Sequence, residues 1–326
     1  MTDALDAAGP QAAAIGQLWW ITLWLCVGVF MAVMLALGWA VWRARRAAKR
    51  AGAGAGLGAG VDAGAVARHE RPLRVTVGAG IALSTVLLCG LLAVSVLTDR
   101  ALARLPVDDA LAIRVTAHQW WWEVVYEDPR ADRVFTTANE LVVPVGRPVV
   151  VTLQADDVIH SFWIPNLHGK KDLIPGRLAK IELRADRAGT YVGRCAEYCG
   201  LEHAFMAFDV LALPADGFDK WLARERSDAA EPVDDAARRG HELFMTGSCM
   251  LCHAIQGTSA AGRRAPDLTH FASRAHIGAG RVANTPQALA AWIEDPQKIK
   301  PGANMPAHLL PPADNAALVA YLETLR

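Results

Sequence analysis

Two uncharged apolar runs constrain this chain more than any other feature. Leu18 to Trp42 reads LWWITLWLCVGVFMAVMLALGWAVW, and Val75 to Thr98 is equally free of charge. About 20 apolar residues cover the ~30 Å hydrocarbon layer of a bilayer, so each run predicts a membrane-spanning helix. Trp19, Trp20 and Trp24 lie at one end of the first run and Trp39 and Trp42 at the other, where amphipathic rings suit the two interfaces. A buried core helix is the competing reading, and the length and lack of charge weigh against it. The runs also concentrate at one end a hydrophobic fraction, 53% of 326 residues, that is high for a soluble chain.

Between the runs, residues 43–74 hold Arg43, Arg45, Arg46, Lys49, Arg50, Arg68, Arg71 and Arg74 against Asp62 and Glu70. Such a basic excess marks a cytoplasmic loop, so both chain ends face outward and everything after Asp99 lies outside. The Gly/Ala tract inside the loop reads as flexible linker. Asp3 and Asp6, with no basic stretch before the first run, disfavour a cleaved signal peptide. A formal net charge of zero gives no sign of a nucleic-acid partner. The expected organisation is a two-span hairpin over 1–99, an all-β domain over 100–214, a linker over 215–235 and an all-α domain over 236–326.

From about Ala110 to Leu213, short segments rich in β-branched and aromatic residues, such as LAIRVTAHQWWWEVVYE and ELVVPVGRPVVVTLQA, alternate with turn signals. They predict an antiparallel sandwich or barrel. GRCAEYCGLEHAFM sets Cys195, Cys199, His203 and Met206 on one short loop, and His160 lies upstream. Two thiolates, two imidazoles and a thioether are soft ligands that suit copper, and they exceed what a single blue-copper site uses. A zinc site of two cysteines and two histidines and a Cys195–Cys199 disulfide stand as alternatives. The zinc reading leaves Met206 without a use, whereas an oxidising compartment favours the disulfide.

HSFWIPNLHGKKDLIPG, GRCAEYCGLEHAFM and HQWWWEVVYED, with the hairpin and its basic loop, resemble cytochrome c oxidase subunit II from Ala14 to about Leu213. The resemblance implies a cupredoxin-like, all-β Greek-key barrel holding the binuclear CuA centre. It implies as copper ligands His160, Cys195, Cys199, His203, Met206 and the backbone carbonyl of Glu197. It further implies that the Glu197 carboxylate meets a magnesium ion at the boundary with subunit I, that Asp172 joins a polar network towards that subunit, and that Trp120 takes in electrons. Glu70 lies where the family can carry an acidic proton-channel residue, but HERPLRVTV departs from the family's wording and Glu70 is assigned no role.

SCMLCH carries the C-x-x-C-H signature of covalent c-type haem, with Cys249 and Cys252 as thioether residues and His253 as an axial ligand. A helical pattern, DDAARRGHELFMTG, leads into the motif, and another, ADNAALVAYLETLR, closes the chain. Met305 in PQKIKPGANMPAH is placed to be the sixth ligand, with His308 as its rival. Met245 and Met250 sit too near the motif to reach the opposite haem face. Residues 236–326 resemble a class I cytochrome c, which implies that the Pro266 carbonyl orients His253.

The whole combination resembles subunit II of a caa3-type cytochrome c oxidase. That resemblance implies a route from cytochrome c or a respiratory complex, through haem c and CuA, to haem a in subunit I. There, at haem a3–CuB, O2 would be reduced to water with proton pumping, subunit III alongside. The expected location is the bacterial plasma membrane, with both outer domains on the periplasmic face. Competing readings are the CuA/haem c subunit of a nitric oxide reductase and a membrane-tethered carrier without an oxidase. A copper-free quinol oxidase relative does not suit the intact ligand set. Residues 99–235 carry 16 basic and 23 acidic side chains and residues 236–326 carry 9 and 6, balances of −7 and +3. These balances predict electrostatically steered docking of the haem domain and a salt-sensitive transfer between the domains.

Overall fold

The computed structural model describes residues 4–51, 63–102 and 105–326. The Gly/Ala tract read as linker, at 52–62, and Asp3 lie outside the described residues. The chain divides into two compact units, Ala14–Ala103, and Met1–Ala13 together with Arg104–Arg326.

The first unit is built from α1 (Pro10–Ala51) and α2 (Ala63–Leu102). At 1.5 Å per residue the 42 residues of α1 reach about 63 Å, twice the apolar layer of a bilayer. Both helices are long and apolar enough to cross a membrane. Trp24, Leu35 and Leu88 are 64%, 69% and 66% exposed, a surface stable only against an apolar surrounding. This outward display rules against the buried-core reading of the two runs. Thr22, Thr85 and Thr98 turn their hydroxyls back on the carbonyls of Leu18, Ile81 and Val94, so no threonine donor is left open in these stretches. The guanidinium groups of Arg43 and Arg46 lie over the rings of Trp39 and Trp42, at 5.3 and 3.8 Å, where apolar run gives way to basic segment.

The second unit contains ten longer strands. They are β1 (Leu111–His118), β2 (Trp121–Tyr126), β3 (Phe135–Ala138), β4 (Glu140–Pro144), β5 (Val149–Ala155), β6 (His160–Trp163), β7 (Lys171–Leu173), β8 (Ala179–Leu183), β9 (Gly189–Cys195) and β10 (Ala207–Leu213). They form two five-stranded sheets, in the orders β3-β2-β1-β5-β8 and β4-β10-β9-β6-β7. The sheets are mixed rather than purely antiparallel, because β5 runs parallel to β1 and β4 parallel to β10. The chain crosses to the second sheet at β4 before returning to lay β5 beside β1, and that detour reverses the expected direction. Along β2 the pattern is Trp122, Val124 and Tyr126 inward and the alternate residues half-buried. The Trp122 ring fills the centre, 5.9 and 5.2 Å from those of Phe162 and Phe208. This cupredoxin-like sandwich presents the end of β9 and the start of β6 side by side.

Residues before the first span also pack on the sandwich. Ala8 donates its N–H to the Asn166 carbonyl at 2.7 Å and its own carbonyl accepts from Asp186 N at 2.7 Å. Arg187 pairs with Asp6 at 2.7 Å. The stretch read as linker, 215–235, opens with α3 (Ala215–Glu225), which buries Phe218 and Trp221 in the sandwich core.

The C-terminal part is a small helical domain. It comprises α4 (Asp235–Thr246), α5 (Cys249–Cys252), two short strands β11 (His276–Ile277) and β12 (Val282–Ala283), α6 (Pro286–Glu294), α7 (Pro296–Ile299) and α8 (Pro312–Thr324). The Thr285 hydroxyl accepts from Ala288 N and Pro286 fills the first turn, which fixes the start of α6. Phe244 of α4 meets Leu318, Tyr321 and Leu322 of α8 in a core of the domain's own. The two helices approach most closely at Gly240, where an added Cβ would lie 1.9 Å from the Ala317 carbonyl oxygen.

Candidate metal centre

His160 opens β6 and Cys195 closes β9, neighbouring strands whose pairing continues at Phe162 and Cys195. The loop between β9 and β10 then folds back on itself. Cys195 N donates to the Met206 carbonyl at 2.9 Å, and Ala196 N to the Ser161 carbonyl at 2.9 Å, so the loop is tied to its own end and to β6. The donors converge inside it. The Cys195 and Cys199 sulfurs stand 3.7 Å apart as free thiols. His160 Nδ1 lies 3.9 Å from the Cys195 sulfur, and His203 Nδ1 3.6 Å from that of Cys199. The Met206 sulfur is 3.8 Å from Cys199 Sγ, and the Cys195 thiol points at the Glu197 carbonyl, 3.1 Å away. Ligand atoms of His160, Cys195 and Cys199 all fall within 4.8 Å of one another, and all three residues are buried. All six groups predicted from the sequence are thus brought together. A thioether and a backbone carbonyl at the rim of two thiols and two imidazoles fit copper better than a tetrahedral zinc site.

The electrostatics suit a cation. The hydrogen bond from Cys199, with those from His160 and two backbone groups, overcomes burial and pulls the Cys195 thiol well below its ordinary value. Cys199 is pushed up by the same partnership and by burial, and a bound metal would favour the deprotonated form of both thiols. Burial lowers His160, yet its bonds to Cys195 and Asp157 leave it above its ordinary value.

Two supporting residues escape the sequence reading. His160 Nε2 lies 2.8 Å from the Asp157 carboxylate, which turns Nδ1 towards the sulfurs. The only hint is the acidic pair in DDVIH, three residues ahead of the histidine. Gln119 Nε2 and Trp120 Nε1 both donate to the Cys199 carbonyl, at 2.7 and 3.0 Å, so Trp120 is bonded directly to the metal loop. The Glu197 carboxylate accepts from Lys170 at 3.1 Å, and Lys170 also donates to Asp172 at 2.9 Å. A magnesium ion at Glu197 would have to compete with this ammonium.

The helical domain holds the second predicted set. Cys249 and Cys252 bound the single turn of α5, with His253 next in the chain. The His253 ring donates from Nδ1 to the Pro266 carbonyl at 2.7 Å, and its Nε2 has no hydrogen-bond partner among the described residues. Burial lowers its pKa, which favours the neutral form that an iron ligand needs. An oriented neutral imidazole with one nitrogen open, beside two free thiols, fits covalent haem. Met305 lies half-buried in the loop after α7, and Met245 and Met250 pack against the helical core. His308 is anchored through its backbone to the end of α6.

Fold and sites together define a class: a protein with two helices fit to cross a membrane, a cupredoxin-like metal domain and a small helical haem-type domain. Residues 128–213 match the family model of the cytochrome c oxidase subunit II periplasmic domain, and residues 237–326 that of cytochrome c. The cytochrome c oxidase subunit 2 of Alkalihalophilus pseudofirmus is 41% identical over 220 residues, 67% of this chain and 62% of that one. Its Bacillus subtilis counterpart is 36% identical over 230 residues, 67% of this chain and 63% of the other. The matched stretch spans less than two thirds of the length of these two relatives. The crystal structure of the periplasmic domain of cytochrome oxidase subunit II from Bradyrhizobium japonicum is similar at 32% identity, covering 37% of this chain and 97% of that one, with a TM-score of 0.35. The chain therefore holds, in order, a region similar to the cytochrome c oxidase subunit II periplasmic domain and a region similar to cytochrome c, an order consistent with a caa3-type fusion.

Proposed function

We propose that this chain is the electron-receiving subunit of a respiratory haem-copper cytochrome c oxidase. In this reading electrons from cytochrome c or a respiratory complex arrive at its own haem c, pass to CuA and leave for haem a in subunit I, where O2 is reduced to water with proton pumping. The observation that carries it is the convergence of buried Cys195, Cys199, His160 and Met206 with half-buried His203 and the Glu197 carbonyl, in a chain that also holds an oriented His253. Cys249 and Cys252 would hold the haem covalently, with His253 and Met305 as axial ligands. Bound copper and haem iron supply one-electron redox chemistry.

The protein's own part is to keep the ligands still. Five of the six copper donors lie on a loop of twelve positions closed by a main-chain bond, and the sixth is braced by Asp157. Little ligand movement is then needed when charge changes, which favours rapid transfer. The domain limits, the magnesium at Glu197, subunit III as a partner, and the orientation with the basic loop inside a bacterial plasma membrane belong to the same proposal. Packing of residues 6–12 on the sandwich supports the two-span hairpin, because it requires the segments before the first helix and after the second to be on one side.

The test is oxygen consumption by the purified complex with reduced cytochrome c, with copper and haem assayed on the same sample. Oxygen uptake with binuclear copper and one covalent haem per chain supports the reading. Zinc in place of copper overturns the site, and consumption of nitric oxide in place of oxygen overturns the acceptor.

A further inference from the structure

Lys300, directly after α7, is a charged side chain only 3% exposed. An ammonium has three N–H donors and no acceptor, and burying it is costly unless each donor is met. All three are met. Nζ donates to the Trp120 carbonyl at 2.7 Å, the Phe205 carbonyl at 3.0 Å and the Gly278 carbonyl at 2.8 Å. The first two belong to the sandwich domain and the third to the helical domain, so one side chain joins both. Burial pulls its pKa down to about 8 while buried Glu202 holds it up, which keeps it charged at neutral pH.

The surrounding contacts run the same way. Ala207 N donates to the Ala279 carbonyl across the domains at 3.0 Å, and Asn304 Nδ2 to the Gln119 carbonyl at 3.2 Å. Gly302 has φ of +84°, and a Cβ there would lie 3.2 Å from Leu201 and 3.3 Å from the Trp120 ring. Gln297 braces the loop from within, accepting from Gly302 N and donating to the Ala303 carbonyl, both at 2.7 Å. A continuous line of contact therefore leads from the residues just before Met305, through Trp120 and Gln119, to the carbonyl of Cys199.

We propose that Lys300 is a positioning residue that clamps the Met305 loop onto Trp120, holding the haem-type domain in one docked geometry rather than leaving it to visit by tethered diffusion. The proposal rests on the assignment of Met305, Trp120 and the copper ligands made above. It also reverses the salt-sensitive docking expected from net charge, since a dehydrated ammonium bonded to carbonyls is screened far less than exposed charges.

The experiment uses the purified complex. In the unaltered protein, haem-to-copper transfer followed after rapid photoreduction should be independent of ionic strength. Lys300→Met keeps the length and removes the donors. It should slow transfer about tenfold or more, the equivalent of a single charge-assisted hydrogen bond lost, and make the rate salt-dependent. Hydrogen exchange at residues 119–122 and 297–305 should also accelerate about tenfold, while β1, β5 and α8 keep their protection. A salt-dependent rate in the unaltered protein overturns the proposal. So does unchanged exchange in Lys300→Met with copper and haem contents intact. If that variant loses either cofactor, Asn304→Ala is judged by the same exchange: acceleration at 119–122 supports the clamp and its absence overturns it. Exchange reads the clamp whatever the two sites hold, so failure of the electron-transfer reading would show separately, in the metal and haem assays.

Discussion

Asp157 accepts from the backbone N–H groups of Gln119 and Val158, both at 2.6 Å, while facing the His160 ring. It thus links the metal ligand to the segment carrying Trp120. Asp157→Ala should weaken copper binding about 10- to 100-fold, the usual cost of losing such an outer partner, as read by chelator competition. Unchanged affinity would mean that β6 alone orients His160. Met305→Ala should lower the haem midpoint potential by a substantial part of the ~0.8 V range that axial ligands span, measured by redox titration. An unshifted potential would pass the axial role to His308. The candidate ligand side chains were legible in the sequence because four of the proposed copper donors sit within twelve positions and the haem-type motif is contiguous. Gln119 and Lys300 were not, because their partners are carbonyls brought near only by the fold, and Asp157 stands close to His160 in sequence without any pattern there that fixes which carboxylate faces the ring.

At the scale of elements, alternation along β2 and the turn signals between runs foretold strands correctly. They could not foretell that β5 would lie parallel to β1, since pairing direction depends on where the chain changes sheets. The helical pattern of α4 was equally legible, yet nothing in it announced how closely α8 approaches. Gly240→Ala should destabilise the helical domain by about 1–3 kcal/mol or more, because the added methyl meets the Ala317 carbonyl within one packed crossing. Thermal unfolding of the full chain, followed at the haem, checks this. A midpoint equal to that of the unaltered protein would show that α4 can shift without cost.

For the whole molecule, the join between the sandwich and the helical domain contains buried charge. Arg274 of the helical domain donates to Thr137 at 3.2 Å, and nearby Glu140 is 8% exposed. Burial raises the Glu140 carboxyl from its ordinary 4.5 to about 7, with Arg274 opposing and Glu225 and Asp209 adding to the rise. A raised carboxyl stabilises the fold below its unfolded value, and that contribution is lost as pH climbs through about 7. The loss is on the order of 3 kcal/mol. Stability of the full chain should therefore fall from pH 5 to pH 8, and Glu140→Gln should flatten the profile. Parallel profiles for the two proteins would exclude Glu140 as the cause.

The packing of the leading residues on the sandwich has a bearing on how the molecule is made. Asp6 finds its partner, Arg187, 181 positions later. At a ribosomal pace of 5–20 residues per second, roughly 10–35 s separate the synthesis of the two. Through that interval the leading segment waits without this partner while both helices and the sandwich are still being made. The sandwich is thus completed by residues translated ahead of both helices, and a bulky tag fused just ahead of Leu5 would be felt during maturation before it was felt in the finished protein.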